Sequence, residues 1–176
     1  MSPVAIVIPM LNEAAALPRL LRCLRTLDPA PAEVLAVDGG SADASVAIAE
    51  AAGLRVIRDS AGGRAAQVNR GVAAVEAPMV CILHADTLLP DDAVAVVRRV
   101  LGDPRTALAG FIPLLSGPDQ VRWGTSFHNW AKTWYAPLLF RPALFLRGGR
   151  LLFGDHVMFF RRADFLAVAA ATRRCS

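Results

Sequence analysis

Residues 33–58 read EVLAVDGGSADASVAIAEAAGLRVIR, and this stretch decides the fold. Glu33 to Asp38 is a short, mostly apolar run ending in an aspartate, the pattern of a buried strand, and Gly39-Gly40-Ser41 break it. Asp43 to Ala52 is Ala-rich and reads as a short helix, Gly53 stops it, and Leu54 to Arg58 is strand-like again. A strand, a helix and a second strand in so short a span make a crossover unit whose strands run parallel.

The same alternation extends in both directions. Upstream, Val4 to Pro9 is an apolar, β-branched run, Asn12-Glu13 interrupt it, and Leu17, Leu20, Leu21 and Leu24 form a helical stripe with Pro18 in its first turn. Downstream, Gly62-Gly63 open a helix with Ala65, Val68, Val72 and Val75 on one side, and Pro78 closes it. Met79 to Leu83 is a fourth strand, followed directly by His84-Ala85-Asp86. Pro90-Asp91-Asp92 start another helix, striped by Val94, Val97 and Leu101, and Ala107 to Leu115 reads as a strand. The expectation is an α/β fold: a mostly parallel sheet with helices on both faces, in a single domain covering residues 1–176.

Regularity is lost after Leu115. Trp123, Phe127, Trp130 and Trp134 recur at helical spacing, and the default expectation for such a face is packing on the sheet. The alternative is a surface: the apolar run Tyr135 to Leu146, with Lys132, Arg141 and Arg147, suits peripheral contact with a membrane interface and a lipid-linked acceptor. That run is too short, and carries Arg141, so it does not read as a membrane span. Val157 to Phe160 is a last strand, and Ala167 to Ser176 an Ala- and Arg-rich tail.

Composition narrows the function. With 55% hydrophobic and 19% charged residues the chain has the apolar content for a core and does not read as disordered. Nineteen basic against fifteen acidic residues give a net charge of +4, but the basic residues stand singly or in pairs such as Arg98-Arg99 and Arg173-Arg174. No stripe of the kind nucleic acid needs is formed, so no nucleic-acid partner is expected. Cys23, Cys81 and Cys175 are far apart and form no C-x-x-C pair, which fits a reducing compartment. An apolar strand begins within a few residues of Met1 with no basic leader before it, so the expectation is a cytoplasmic protein, with association to a membrane as the alternative.

Ligands of open parallel sheets sit beyond the carboxyl ends of the strands. Here those ends carry Asn12-Glu13, Asp38 with Gly39-Gly40-Ser41, Asp59 and Arg64, and His84 with Asp86. Each alone is an ordinary turn residue; four polar strand ends on one rim point to a site. The first strand ends without a glycine, so the dinucleotide fingerprint is absent, and no phosphate-binding P-loop, G-x-S-x-G or H-E-x-x-H motif occurs. Carboxylates and a metal remain as the chemistry.

These motifs together resemble the family 2 glycosyltransferases with the GT-A fold, a Rossmann-like nucleotide-diphospho-sugar-binding architecture. The resemblance rests on Val7 to Glu13, Val37-Asp38-Gly39-Gly40-Ser41-Ala42-Asp43, Gly63 to Gly71, and Leu83-His84-Ala85-Asp86-Thr87, with Gly154-Asp155-His156 and Phe160-Arg161-Arg162 beyond. The subgroup it most resembles is selenodomain-associated transferase 2. It implies inverting transfer of a sugar from a nucleotide-diphospho-sugar donor to an acceptor left unidentified. Pro9, Asn12, Glu13, Asp38, Ser41, Arg64 and Asn69 are the implied substrate-binding residues, Asp38 meeting the base or ribose and Arg64 standing near the phosphates. Asp86 is the implied ligand of Mg²⁺ or Mn²⁺, a hard oxygen holding a cation that offsets charge on the departing diphosphate.

The sequence departs from the family at two points. His84 replaces the first aspartate of the D-x-D region; imidazole also binds divalent metals, and alternation along an extended strand end would put it on the Asp86 side. The Glu-Asp pair that usually supplies the general base does not follow Phe160 to Phe165, so the domain is expected to be incomplete at its C-terminal end, and Asp155 is the remaining candidate for base or acceptor contact. Two rival readings stay open: a catalytically incomplete nucleotide-sugar-binding module or fragment, and a nucleotidyltransferase using a similar carboxylate-metal site.

Overall fold

The computed structural model describes residues 2–60, 62–115, 121–149 and 156–173. Its first strand, β1 (Val4–Met10), is buried at all seven positions, as a run apolar on both faces must be. It lies between β2 (Glu33–Asp38) and β4 (Met79–Ile82), parallel to both, with Val7 opposite Leu35 on one side and Ile82 on the other. Next to β2 runs β3 (Arg55–Arg58), also parallel. With β5 (Leu108–Phe111) and β6 (Val157–Arg161) the sheet has six strands in the order β3-β2-β1-β4-β6-β5.

Helices connect the strands: α1 (Leu17–Thr26), α2 (Ser45–Ala51), α3 (Gly63–Ala74) and α4 (Ala93–Leu101). Strand alternation assigns their faces. Ala5 and Val7, Leu35 and Val37, and Val80 and Ile82 join Val72 of α3, Val75 just after it and Phe160 in one buried cluster, while Val4, Ile6 and Ile8 point the other way and are equally buried. The close seat of α3 depends on Gly71, where a Cβ would come within 2.3 Å of a Val7 methyl carbon. Gly53, at φ +83°, ends the α2 segment in the conformation glycine tolerates best.

Several boundaries differ from the sequence expectation for physical reasons. The α2 helix begins at Ser45, because the Asp43 carboxylate accepts a hydrogen bond from the Ser45 amide at 2.9 Å and holds the preceding turn. On α3, Ala65 is exposed, and the buried positions are Gln67, Gly71 and Val72. A helix not foreseen, α7 (Arg162–Arg173), follows β6. At that junction two adjacent arginines cap two different helices. Arg161 donates to the Leu101 and Asp103 carbonyls (3.2 and 2.6 Å) at the end of α4, and Arg162 to the Val72 and Ala73 carbonyls (2.9 and 3.0 Å) at the end of α3. Cations placed there satisfy carbonyls that a helix terminus leaves unpaired and complement its dipole.

The chain divides into two compact units, residues 1–109 with 159–176, and residues 110–158. The second contains α5 (Trp123–Phe140) and the short α6 (Pro142–Leu146). Its α5 buries Ser126, Thr133, Ala136 and Pro137, and Ser126 accepts the Leu115 amide at 2.9 Å. The aromatic residues expected in the core are on the outside: Trp123 is 70% exposed and Phe127 66%, with Trp130 and Trp134 also exposed. A helical period marks which residues share a face, and small residues with two hydrogen-bonded hydroxyls, Ser126 and Thr133, won the buried face here. Among the described residues no helix is long and apolar enough to cross a membrane.

Candidate functional site

The loop after β1 and the loop after β2 are laced together by hydrogen bonds. Asn12, at φ +56°, donates its amide to the Ser41 hydroxyl (2.9 Å) and accepts the Ala42 amide on its side-chain oxygen (2.8 Å). Asparagine is among the few residues that take this left-handed conformation readily. One residue on, the Glu13 amide donates to the Ser45 hydroxyl at 2.7 Å, and the Ala14 amide to the Asp43 carboxylate at 3.1 Å. Asp43 is held below the usual carboxylate range first by its side-chain bond from Ser45, then by backbone amides.

Asp38, the last residue of β2, is 2% exposed. Its carboxylate receives the Gly40 amide (3.1 Å), the Ser41 amide (3.2 Å) and the Ser41 hydroxyl. The loop therefore solvates this buried charge, and Ser41 serves two masters, donating to Asp38 while accepting from Asn12. A cleft of about 440 Å³ opens beside it, lined among others by Asp38, Ser41, Asp43, Val46, Glu50 and Arg58. Asp86 is not among its lining residues.

Pro9 is buried in β1 opposite Val37. Val7 offers its carbonyl to the Leu83 amide, so Pro9, with the same parity, faces the β4 side, where pairing has ended at Val7 and Ile82. The missing N–H therefore costs no ladder bond. The residue holding this end of the sheet is one that sequence reading missed. Gln67 of α3, 4% exposed, donates its amide nitrogen to the Met10 carbonyl (2.9 Å) and the Val37 carbonyl (3.3 Å), tying the ends of β1 and β2. Gly39 leaves room for it, since a Cβ there would meet the Gln67 amide nitrogen at 2.4 Å. The only sign in the sequence was a glutamine between Ala66 and Val68.

On the far side of β1, Arg64 at the start of α3 brings its guanidinium nitrogen within 3.2 Å of His84 Nε2. Arginine has donors only, so Nε2 is the acceptor and its lone pair is directed at Arg64. The extended strand end assumed for His84 and Asp86 is replaced by a turn, closed by the Thr87 amide on the His84 carbonyl (3.1 Å). His84 is buried and Asp86 exposed, with the Thr87 hydroxyl 3.2 Å from an Asp86 oxygen. Asn69, also exposed, lies about 140° around α3 from Arg64, at about 100° per residue, so the two do not share a face. Asp155 falls outside the described residues.

What joins these pieces is Glu13. Its carboxyl is raised above its ordinary value, first by partial burial, then by the negative charge of Asp86; Arg64 pulls the other way and Asp43 adds to the rise. Three strand ends are thus within electrostatic reach of one side chain, with one arginine among three carboxylates. Among the described residues no three His, Cys, Asp or Glu side chains gather into a metal cage. Asp86 presents one exposed carboxylate, the donor type that hard cations take.

Comparison with known proteins agrees with this architecture. No curated protein sequence is significantly similar to the chain. Among solved structures, glucosyl-3-phosphoglycerate synthase from Mycobacterium tuberculosis, in complex with Mn²⁺, UDP and glucosyl-3-phosphoglycerate, superposes with a TM-score of 0.61 at 20% identity, covering 92% of this chain and 57% of its own. The same protein has also been solved with Mn²⁺, UDP-glucose and phosphoglyceric acid. S. aureus TarS 1–349 gives a TM-score of 0.54 at 20% identity, over 60% of this chain and 34% of its own. The chain thus spans just over half of the first relative and about a third of the second, and the likeness establishes the GT-A fold. The family model for glycosyl transferase family 2 matches residues 5–168, nearly the whole sequence, and the chain belongs to that family.

Proposed function

We propose that this chain is the donor-binding part of a glycosyltransferase that moves a sugar from a nucleotide-diphospho-sugar to a hydroxyl acceptor with inversion, within the selenodomain-associated transferase 2 subgroup. The observation that carries the reading is the interlocking of the loops after β1 and β2, Asn12 with Ser41 and Glu13 with Ser45, around the buried Asp38 carboxylate at the carboxyl ends of parallel strands. The cleft beside Asp38 has an apolar wall at Val46 and polar groups at its rim, which suits a flat base and its ribose. Arg64, at the start of α3 beside His84, is the proposed contact of the diphosphate oxygens. M. tuberculosis glucosyl-3-phosphoglycerate synthase, the distant relative, has been solved with Mg²⁺ and UDP, in keeping with a cation here.

Asp86 would hold that Mg²⁺ or Mn²⁺, which when bound supplies Lewis-acid stabilisation of the leaving diphosphate. His84 would be a second ligand only through an Nε2 no longer engaged by Arg64. Asp155 is the proposed base toward the acceptor. The two compact units are read as parts of one catalytic domain working in the cytoplasm.

Isothermal titration of UDP- and GDP-sugars with Mn²⁺ tests the site. Asp38→Ala and Asp86→Ala each remove a charge-assisted contact and should weaken binding by about tenfold to a hundredfold, with Asp86→Ala also abolishing metal dependence. Unchanged affinity in both variants overturns the assignment. Binding without sugar transfer would instead identify a nucleotide-sugar-binding module.

A further inference from the structure

The α5–α6 surface is apolar, aromatic and open. At about 100° per residue, Trp123, Phe127, Trp130, Trp134 and Leu138 fall within an arc of about 80° on α5. The Phe127, Trp130 and Trp134 rings form a continuous strip, with Phe127 and Trp130 centroids 5.6 Å apart and Trp130 and Trp134 6.1 Å apart. Beyond them Leu139, Phe140 and Leu146 are 68%, 77% and 83% exposed, and no residue of α6 is buried. Isolated apolar residues on a surface need no explanation; a strip of this size does.

The charge around the strip says what covers it. From Val121 to Gly149 there is no aspartate or glutamate, and the charged residues are Arg122, Lys132, Arg141 and Arg147. Arg141 and Arg147 bracket α6 and are exposed, as is Arg122 at the start of α5. A symmetric contact with a second copy would bring like charges together with no acidic residue in the segment to pair them. An anionic bilayer supplies what is missing: tryptophan and tyrosine rings settle at the headgroup level, leucine and phenylalanine reach the acyl boundary, and arginines face acidic headgroups.

We propose that α5 and α6 form a docking surface for an anionic lipid bilayer, which the chain contacts peripherally through the aromatic strip and the arginines bracketing α6. All three tryptophans of the chain lie on α5, so their emission reports this surface alone.

The purified chain, incubated with phosphatidylcholine vesicles with or without phosphatidylglycerol, tests this by co-sedimentation and tryptophan emission. The expected result is binding to the phosphatidylglycerol vesicles, reduced by salt and accompanied by a blue shift. The pairs Arg141→Glu with Arg147→Glu, and Phe140→Ser with Leu146→Ser, should each lower the partition coefficient about tenfold or more, from roughly 1 kcal/mol per basic residue and the lost apolar contact. All four side chains are at the surface, so both variants should keep the parent melting curve by circular dichroism. No binding to either vesicle, binding that both pairs leave unchanged, or a blue shift that depends only on protein concentration would overturn the proposal. None of these readouts uses a nucleotide, so failure of donor binding leaves this test intact.

Discussion

Gln67 shows how much a single amide holds at the rim. Its nitrogen stands between the Met10 and Val37 carbonyls at the point where β1 and β2 separate into their functional loops. Gln67→Ala removes both bonds in a buried place and should cost about 1–3 kcal/mol in urea unfolding, with Asp38 nearby losing its fixed position and donor affinity falling in parallel. Glu13 makes a prediction of the opposite sign. Its folded-state value lies above the ordinary 4.5, chiefly through burial and then through Asp86, so the folded chain keeps a proton that the unfolded chain has already released. Stability therefore falls as pH rises through that window, and the full penalty is present above it. Glu13→Gln should melt at a higher temperature than the parent at neutral pH, and the difference should vanish once the pH drops below 4.5. A melting-temperature series against pH checks it.

At the scale of elements, α3 is the piece whose fit is most exacting. Gly71 lets it approach β1 so closely that an added methyl would sit 2.3 Å from Val7, so Gly71→Ala should destabilise by about 1–3 kcal/mol despite the better helix propensity of alanine. Denaturant titration would show a lower midpoint with an unchanged slope. Much of this layer was legible in the sequence. The strands were, because β1, β2 and β4 are apolar on both faces and bounded by glycines, prolines and polar clusters. The rim residues were too, since Asn12, Asp38, Arg64 and Asp86 follow strand ends by position. What could not be read was direction. The period of α5 was plain, yet nothing in it distinguishes a face against a sheet from a face against solvent. Gln67 carries no local mark of burial, and α7 contains a run, Ala167 to Ala171, that offers no periodic contrast. The backbone at His84 was not read either, since a turn and not an extended strand end follows β4.

For the whole molecule, Cys81 offers a measure of how cooperatively the first unit opens. It sits in β4 at 2% exposure, and burial pushes its thiol up to about 12, so the native protein presents neither access nor thiolate to an alkylating reagent. Labelling of Cys81, followed by mass spectrometry of its peptide, should be negligible under native conditions and should track global unfolding across a denaturant series. Labelling well before the spectroscopic transition would mean that β4 opens on its own.

The sheet also ends well on its β3 side. A four-residue border strand flanked by Arg55 and Arg58, with Arg55 reaching back to the Ala74 carbonyl at 3.2 Å, offers a neighbouring molecule a short ribbon guarded by like charges. Two such borders repel before their backbones can pair. The protein can therefore be crowded without its sheets knitting into aggregates along this margin, leaving the stickiness of the molecule to be decided elsewhere on its surface.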